Sequence, residues 1–210
     1  SVSKPHGLVD PKPKKPTRLP AIVLVAGSGQ VDRDEVVAGI PVFGQLASAL
    51  ADAGFLVVRY DKRGVGQSGG RAESATLQDY ADDVLAVVQY LRKRKDVDAR
   101  RITLVGHSEG GWVSLAAASR SKHVARVVLA GTPRTPGHEL VLEQQRYLLE
   151  KMKTDSAELE GKVALQKRIN SAVMFGTSWE GVALAGRRPG RTPRVARLPR
   201  HDPPAGVPKG

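Results

Sequence analysis

The stretch Arg101-Ile102-Thr103-Leu104-Val105-Gly106-His107-Ser108-Glu109-Gly110-Gly111-Trp112 constrains this chain more than any other part of it. It sets a G-x-S-x-G pentapeptide between a β-branched run and an alanine-rich run with helical spacing. A strand that turns into a helix around one residue must hold that residue in a strained backbone conformation. Gly106 and Gly110, two before and two after Ser108, remove the Cβ atoms that would keep strand and helix apart. The turn lifts the Ser108 hydroxyl above the strand end and presents the N–H of Glu109 to an incoming oxyanion. Ser108 is thus a candidate nucleophile, and a plain serine-glycine turn is the competing reading.

The rest of the middle of the chain alternates in the same sense. Ala21–Ala26 is a continuous apolar run ending in Gly27-Ser28-Gly29, as a buried parallel strand requires. Val42 to Ala53 has helical spacing with Gly54 just past its end, and Phe55–Tyr60 gives a second strand. Thr76 to Lys93 carries an apolar stripe from Leu77 to Leu91. Ile102–Val105 is the third strand, Glu109 to Ser119 a helix, and Val124–Leu129 the fourth strand. Repeated βα units with right-handed crossovers predict an α/β fold, a parallel sheet with helices on both faces. Functional groups then gather at the carboxyl ends of the strands, where Gly27, Asp61 and Ser108 fall.

Composition bounds the remainder. The chain has 210 residues, enough for one domain with a real core, and no cysteine, so no disulfide or thiolate metal site can form. No apolar run reaches the roughly 18 residues of a membrane span. The net charge of +12 suggests nucleic acid until it is located. Residues 1–20 contribute +4 and residues 181–210 contribute +6, leaving +2 on the 160 residues between. The same two ends hold 11 of the 14 prolines. They read as a Pro/Lys-rich linker and a basic, disordered tail, so no specific nucleic-acid partner is expected. Between them lie a core over 21–136 and a helical segment over 137–180. In that segment Leu140, Leu142, Leu148, Leu149, Leu159, Val163, Leu165 and Ile169 fall at helical spacing.

Three separated motifs carry a family resemblance. They are Val25-Ala26-Gly27-Ser28-Gly29-Gln30-Val31-Asp32-Arg33-Asp34, Arg59-Tyr60-Asp61-Lys62-Arg63-Gly64-Val65-Gly66-Gln67-Ser68, and Gly106-His107-Ser108-Glu109-Gly110. On these the chain resembles the bacterial α/β-hydrolase-fold serine esterases over about residues 20–180. The resemblance implies Ser108 as nucleophile and the backbone N–H of Glu109 as one oxyanion donor. It implies Ser28 as the second donor, with Gly29 next, where Ala26-Gly27 stands for the family's His-Gly. It makes His107 structural, and Asp61 and Arg63 braces that bond backbone near the rim of the site. The segment 137–180 would be a lid-like insertion or an ordinary pair of packing helices, with Met174, Phe175 and Trp179 lining a pocket or lying in its core.

The expected reaction is cleavage of small carboxylic esters or thioesters through an acyl-enzyme, with no metal or organic cofactor. An acyltransferase or peptidase on the same elbow, or an inactive fold remnant used for binding or assembly, are the alternatives. In the family the triad acid and histidine follow the nucleophile on loops after two further strands, which this sequence lacks. His6, His107, His123, His138 and His201 are all poorly placed to replace the base. The Arg, Pro, Gly and Ala that make up 21 of the last 30 positions fit a truncated gene or a shifted reading frame, and predict crippled turnover. Compartment, cytoplasmic or exported, and oligomeric state stay open.

Overall fold

The computed structural model describes residues 1–4 and 18–176. They fall into two compact units, one ending at Thr132 and one beginning at Pro133. The first unit runs β1 (Val2–Ser3), β2 (Leu19–Val25), β3 (Val36–Val37), β4 (Ile40–Pro41), α1 (Val42–Asp52), β5 (Leu56–Val58), α2 (Leu77–Lys93), β6 (Val97–His107), α3 (Glu109–Ser119) and β7 (Arg126–Ala130). Five strands form one sheet in the order β1-β5-β2-β6-β7, and β3 pairs with β4 apart from it. Strands β5, β2, β6 and β7 are parallel, while β1 runs antiparallel along β5 at the edge.

The apolar run of β2 is continuous because both its faces are covered. Ala21, Val23 and Val25 join Val84, Val88 and Leu91 of α2 and Val113 and Ala117 of α3 in one cluster. Ile22, Leu24 and Ala26 point the other way, onto Phe43 and Ala47 of α1. Each Val, Leu, Ile or Phe side chain so withdrawn from water contributes about 1.5–3 kcal/mol, so the central strand anchors the unit. Helix α2 begins at a capping box, Asp79 N–H donating to Thr76 Oγ1 and Thr76 N–H to Asp79 Oδ2. It ends with Arg92 and Lys93 in its last turn, where cations suit the negative end of the dipole.

Several expected boundaries are corrected. Val2–Ser3 and Leu19-Pro20, assigned from sequence to a linker over 1–20, belong to strands β1 and β2. The pairing of β2 with β6 shifts register between Leu19 and Ala21. That irregularity falls on Pro20, which has no N–H to give the ladder. Strand β6 is 11 residues long rather than four. Its first half, Val97 to Arg101, holds three charged residues, and Asp98 accepts there from Arg100 N–H and Arg101 Nε, so no continuous apolar run marks it. Strand β5 is only three residues long.

The second unit is described from Pro133 to Gly176 and holds two helices, α4 (Gly137–Lys151) and α5 (Ser156–Phe175). Leu149, Leu159 and Val163 are buried together with Leu142 against them. Asp155 caps α5 by accepting from the N–H groups of Ala157 and Glu158, and Gly176 closes it in the left-handed conformation. Met174 and Phe175 are exposed, so neither belongs to the core. Trp179, His6, His201 and the segments 5–17 and 177–210 lie outside the described residues. No described helix is long and apolar enough to cross a membrane.

Candidate active site

Ser108 joins β6 directly to α3 and stands at φ 52°, ψ −122°, a conformation that L-residues avoid. What compels it is the close approach of α3 both to β6 and to the end of β2. A Cβ on Gly110 would fall on the carbonyl oxygens of Val25 and Ala26, and one on Gly106 would fall on the backbone of Gly110 and Gly111. The Ser108 N–H donates to the Ala130 carbonyl at 2.9 Å, tying the elbow to the end of β7. Glu109 is the first residue of α3. First-turn N–H groups project from a helix N-terminus and carry the positive end of its dipole, which favours negative charge at that point.

The loop after β2 passes beside this serine. A Cβ on Gly27 would come 3.0 Å from Glu35 Oε1, 3.3 Å from His107 Nδ1 and 3.4 Å from Ser108 Cβ. Glu35 is 4% exposed and has φ 45°. Its Oε1 accepts from Gly27 N–H at 2.7 Å and lies 2.8 Å from His107 Nδ1. The histidine before the nucleophile is therefore engaged with a buried carboxylate. Ser28, the next residue, is exposed.

The loop after β5 is held from below. Asp61 accepts from Arg33 Nε at 2.9 Å, Arg33 Nη2 at 2.6 Å, and the backbone N–H groups of Arg33 and Gln67. The Arg33 guanidinium beside it holds its carboxyl well below the usual carboxylate range, against the opposing effect of burial. Arg63 donates to both oxygens of Asp83 and to the Asp79 carbonyl, anchoring the loop on α2. The hydrogen bond to Asp83 raises the Arg63 pKa above its ordinary value. Arg63 thus reaches a carboxylate as well as backbone. Arg59 pairs with Asp34 in the same region.

Ser108, Glu109, Gly106, Gly110, His107 and the Gly27-Ser28 turn thus meet at one end of the sheet, with Asp61 and Arg63 bracing the adjoining loop. Two residues of this cluster escaped the sequence reading, Glu35 and Lys62, each about 4–5% exposed. Lys62 Nζ donates to the Gly27 carbonyl at 2.8 Å and to Glu109 Oε1 at 3.1 Å, and lies 4.4 Å from the centre of the Tyr80 ring. Neither described histidine of the first unit stands as a base to Ser108. His107 faces Glu35, and His123 precedes β7, at the opposite end of a strand parallel to β6. Among the described residues no group of three His, Asp or Glu could hold a metal.

A mostly parallel sheet, helices on both faces and a serine at a strand-to-helix elbow define an α/β hydrolase. The chain belongs to the serine aminopeptidase S33 family of that fold, whose match spans residues 40–184. Esterase EstD of Thermotoga maritima is 35% identical over 136 residues, covering 65% of this chain and 32% of EstD. Human dipeptidyl peptidase 8 is 34% identical over 138 residues, covering 63% of this chain and 15% of the peptidase. The crystal structure of the alpha/beta hydrolase GrgF from Penicillium sp. sh18 superposes with a TM-score of 0.51 at 23% identity. It covers 65% of this chain and 45% of that one, a likeness of fold. This chain therefore corresponds to only a part of each of these relatives.

Proposed function

We propose that Ser108 is the nucleophile of a serine hydrolase that cleaves carboxylic esters, with thioesters next. The observation that carries this reading is the backbone of Ser108, a strained residue held between β6 and α3 beside the Gly27-Ser28 turn. Its Oγ attacks the substrate carbonyl carbon, and its proton passes to a base. The N–H groups of Glu109 and Ser28 receive the resulting oxyanion, and two such donors contribute on the order of several kcal/mol to the transition state. Collapse expels the alcohol or thiol and leaves an acyl-enzyme, which water then hydrolyses. The identity with an esterase supports the choice of leaving group.

Neither described histidine of the first unit serves as that base, since His107 faces Glu35 and His123 precedes β7. Without a base, turnover falls on the order of 10⁴–10⁶-fold, and the oxyanion donors and binding leave on the order of 10³ over water. With neither described histidine of the first unit beside Ser108, acylation is expected to be slow. Intact-mass measurement after long incubation with an alkyl fluorophosphonate tests this, with and without added imidazole as an external base. A single adduct on Ser108, formed faster with imidazole and absent from Ser108→Ala, is the expected result. An adduct on another serine, or none under either condition, sinks the reading and leaves an inactive hydrolase fold used for binding.

Peptide-bond cleavage is the second reading, favoured by the S33 family match and by the likeness to a dipeptidyl peptidase. Competition decides between them. A peptide substrate that slows ester turnover and is itself cleaved favours the peptidase.

A further inference from the structure

Lysine is almost never buried unless its charge is paired, and Lys62, 5% exposed, is paired at one particular place. No braced end of the loop needs it, since Asp61 and Arg63 already hold the segment on either side. Its ammonium instead reaches the two segments that carry the proposed oxyanion donors. One contact is the Gly27 carbonyl, and the other is the side chain of Glu109.

The first contact has a direct geometric consequence. The Gly27 carbonyl and the Ser28 N–H belong to the same peptide group, and no peptide bond among the described residues is cis. In a trans peptide the C=O and N–H point in opposite directions across one rigid plane. Holding the Gly27 oxygen on the buried ammonium therefore turns the Ser28 N–H away from the interior, to the side where Ser28 is exposed. The preceding peptide is fixed as well, because Gly27 N–H is held by the buried Glu35 carboxylate. Two consecutive peptide planes are thus pinned by opposite charges. Without the lysine the Gly27–Ser28 plane could rotate about its flanking single bonds, presenting a carbonyl where a donor is needed.

We propose that Lys62 is a positioning residue that sets the oxyanion hole by clamping the Gly27 carbonyl, so that the Ser28 N–H faces the oxyanion on Ser108. The inference rests on the serine-hydrolase reading above. Its contact with Glu109 Oε1 holds the second donor segment to the same point. Lys62 touches neither substrate nor the reacting atoms.

The test uses the full chain and an alkyl fluorophosphonate, in which Ser108 Oγ bonds to phosphorus, fluoride leaves, and the serine proton passes to the base or to solvent. The phosphonyl oxygen of the adduct then occupies the position of the oxyanion. Wild type against Ser108→Ala decides the underlying reading by itself. If that pair behaves as expected, Lys62→Met is expected to lower the rate constant of phosphonylation about 10- to 100-fold, as a donor misplaced by about 1 Å does. The dissociation constant of the reversible probe complex should stay within about twofold, which a general loss of structure would not spare. Lys62→Arg should recover part of the rate. An unchanged rate in a Lys62→Met protein that melts cooperatively overturns the proposal while leaving Ser108 as nucleophile. Should Lys62→Met fail to fold, the wild-type chain decides. On phosphonylation the backbone amide protons of Ser28 and Glu109 should move downfield in a ¹H–¹⁵N spectrum. A Ser28 amide that does not move overturns the proposal.

Discussion

Arg33 grips Asp61 with two parallel hydrogen bonds, Nε to Oδ1 at 2.9 Å and Nη2 to Oδ2 at 2.6 Å. This planar fork joins the loop after β2 to the loop after β5, and Lys62 sits next to it in the chain. Because the carboxylate is buried, its charge is tolerable only with this partner and the two backbone donors. The folded-state pKa of Asp61 is depressed. Its stabilisation is thus fully present above the unfolded value of about 3.9 and is lost as pH falls towards the folded one. Asp61→Asn should cost about 1.5–3 kcal/mol at neutral pH, the range for hydrogen bonds to charged groups. It should also flatten part of the acid limb of a plot of Tm against pH below about pH 4. Asp96, depressed by Arg94 and Lys4, keeps a share of that limb in the mutant. A limb of unchanged steepness would show that the fork stabilises nothing.

The same loop requires a glycine for two reasons at once. Gly66 has φ 53°, and a Cβ there would lie 2.5 Å from Asp61 Oδ2. Gly66→Ala combines left-handed strain with displacement of the braced carboxylate, an expected loss of about 2–3 kcal/mol. Gly161 offers the control. It lies inside α5, and a methyl group there would meet nothing within 4 Å, so the helix gains from losing a glycine. Gly161→Ala should stabilise the second unit by about 0.5–1 kcal/mol. Equal effects of the two substitutions in thermal melts would remove the case for steric demand at Gly66.

Residue separation explains what the sequence revealed. The elbow was legible because its sequence signals lie within a few residues of Ser108, although its tie to Ala130 and its packing on Val25 and Ala26 do not. Glycine spacing, the β-branched run and the alanine-rich helix are all local signals. Helix α2 was equally plain, since Thr76, Asp79 and the apolar stripe repeat every three or four residues. Glu35 and Lys62 were not legible. Their bonds to Gly27 span 8 and 35 residues, and the bond from Lys62 to Glu109 spans 47. A lone Glu or Lys in a loop reads as surface, because nothing local records the burial that forces it to pair. Strand β1 was hidden likewise, since two residues carry no periodicity and owe their conformation to pairing with Val57 and Val58. Asp98, Arg100 and Arg101 in the first half of β6 concealed the length of the strand that delivers Ser108.

Backbone strain at Ser108 can be measured separately from its chemistry. The residue sits at φ 52°, ψ −122°, where a Cβ is costly by about 1–3 kcal/mol and where glycine is at ease. Ser108→Ala removes the hydroxyl and keeps the Cβ, so the strain remains. Ser108→Gly removes both. Both variants lose phosphonylation, but they should differ in stability. Glycine also gives up more conformational entropy on folding, about 0.5–1 kcal/mol relative to alanine, which offsets part of the relief. The net expectation is that Ser108→Gly is more stable than Ser108→Ala by about 1 kcal/mol, a rise in Tm of about 2–4 °C. Paired melts of the two variants at one pH and ionic strength give the comparison directly. If alanine proves equal or superior, the close approach of β6 and α3 does not strain residue 108, and the elbow holds its serine without tension.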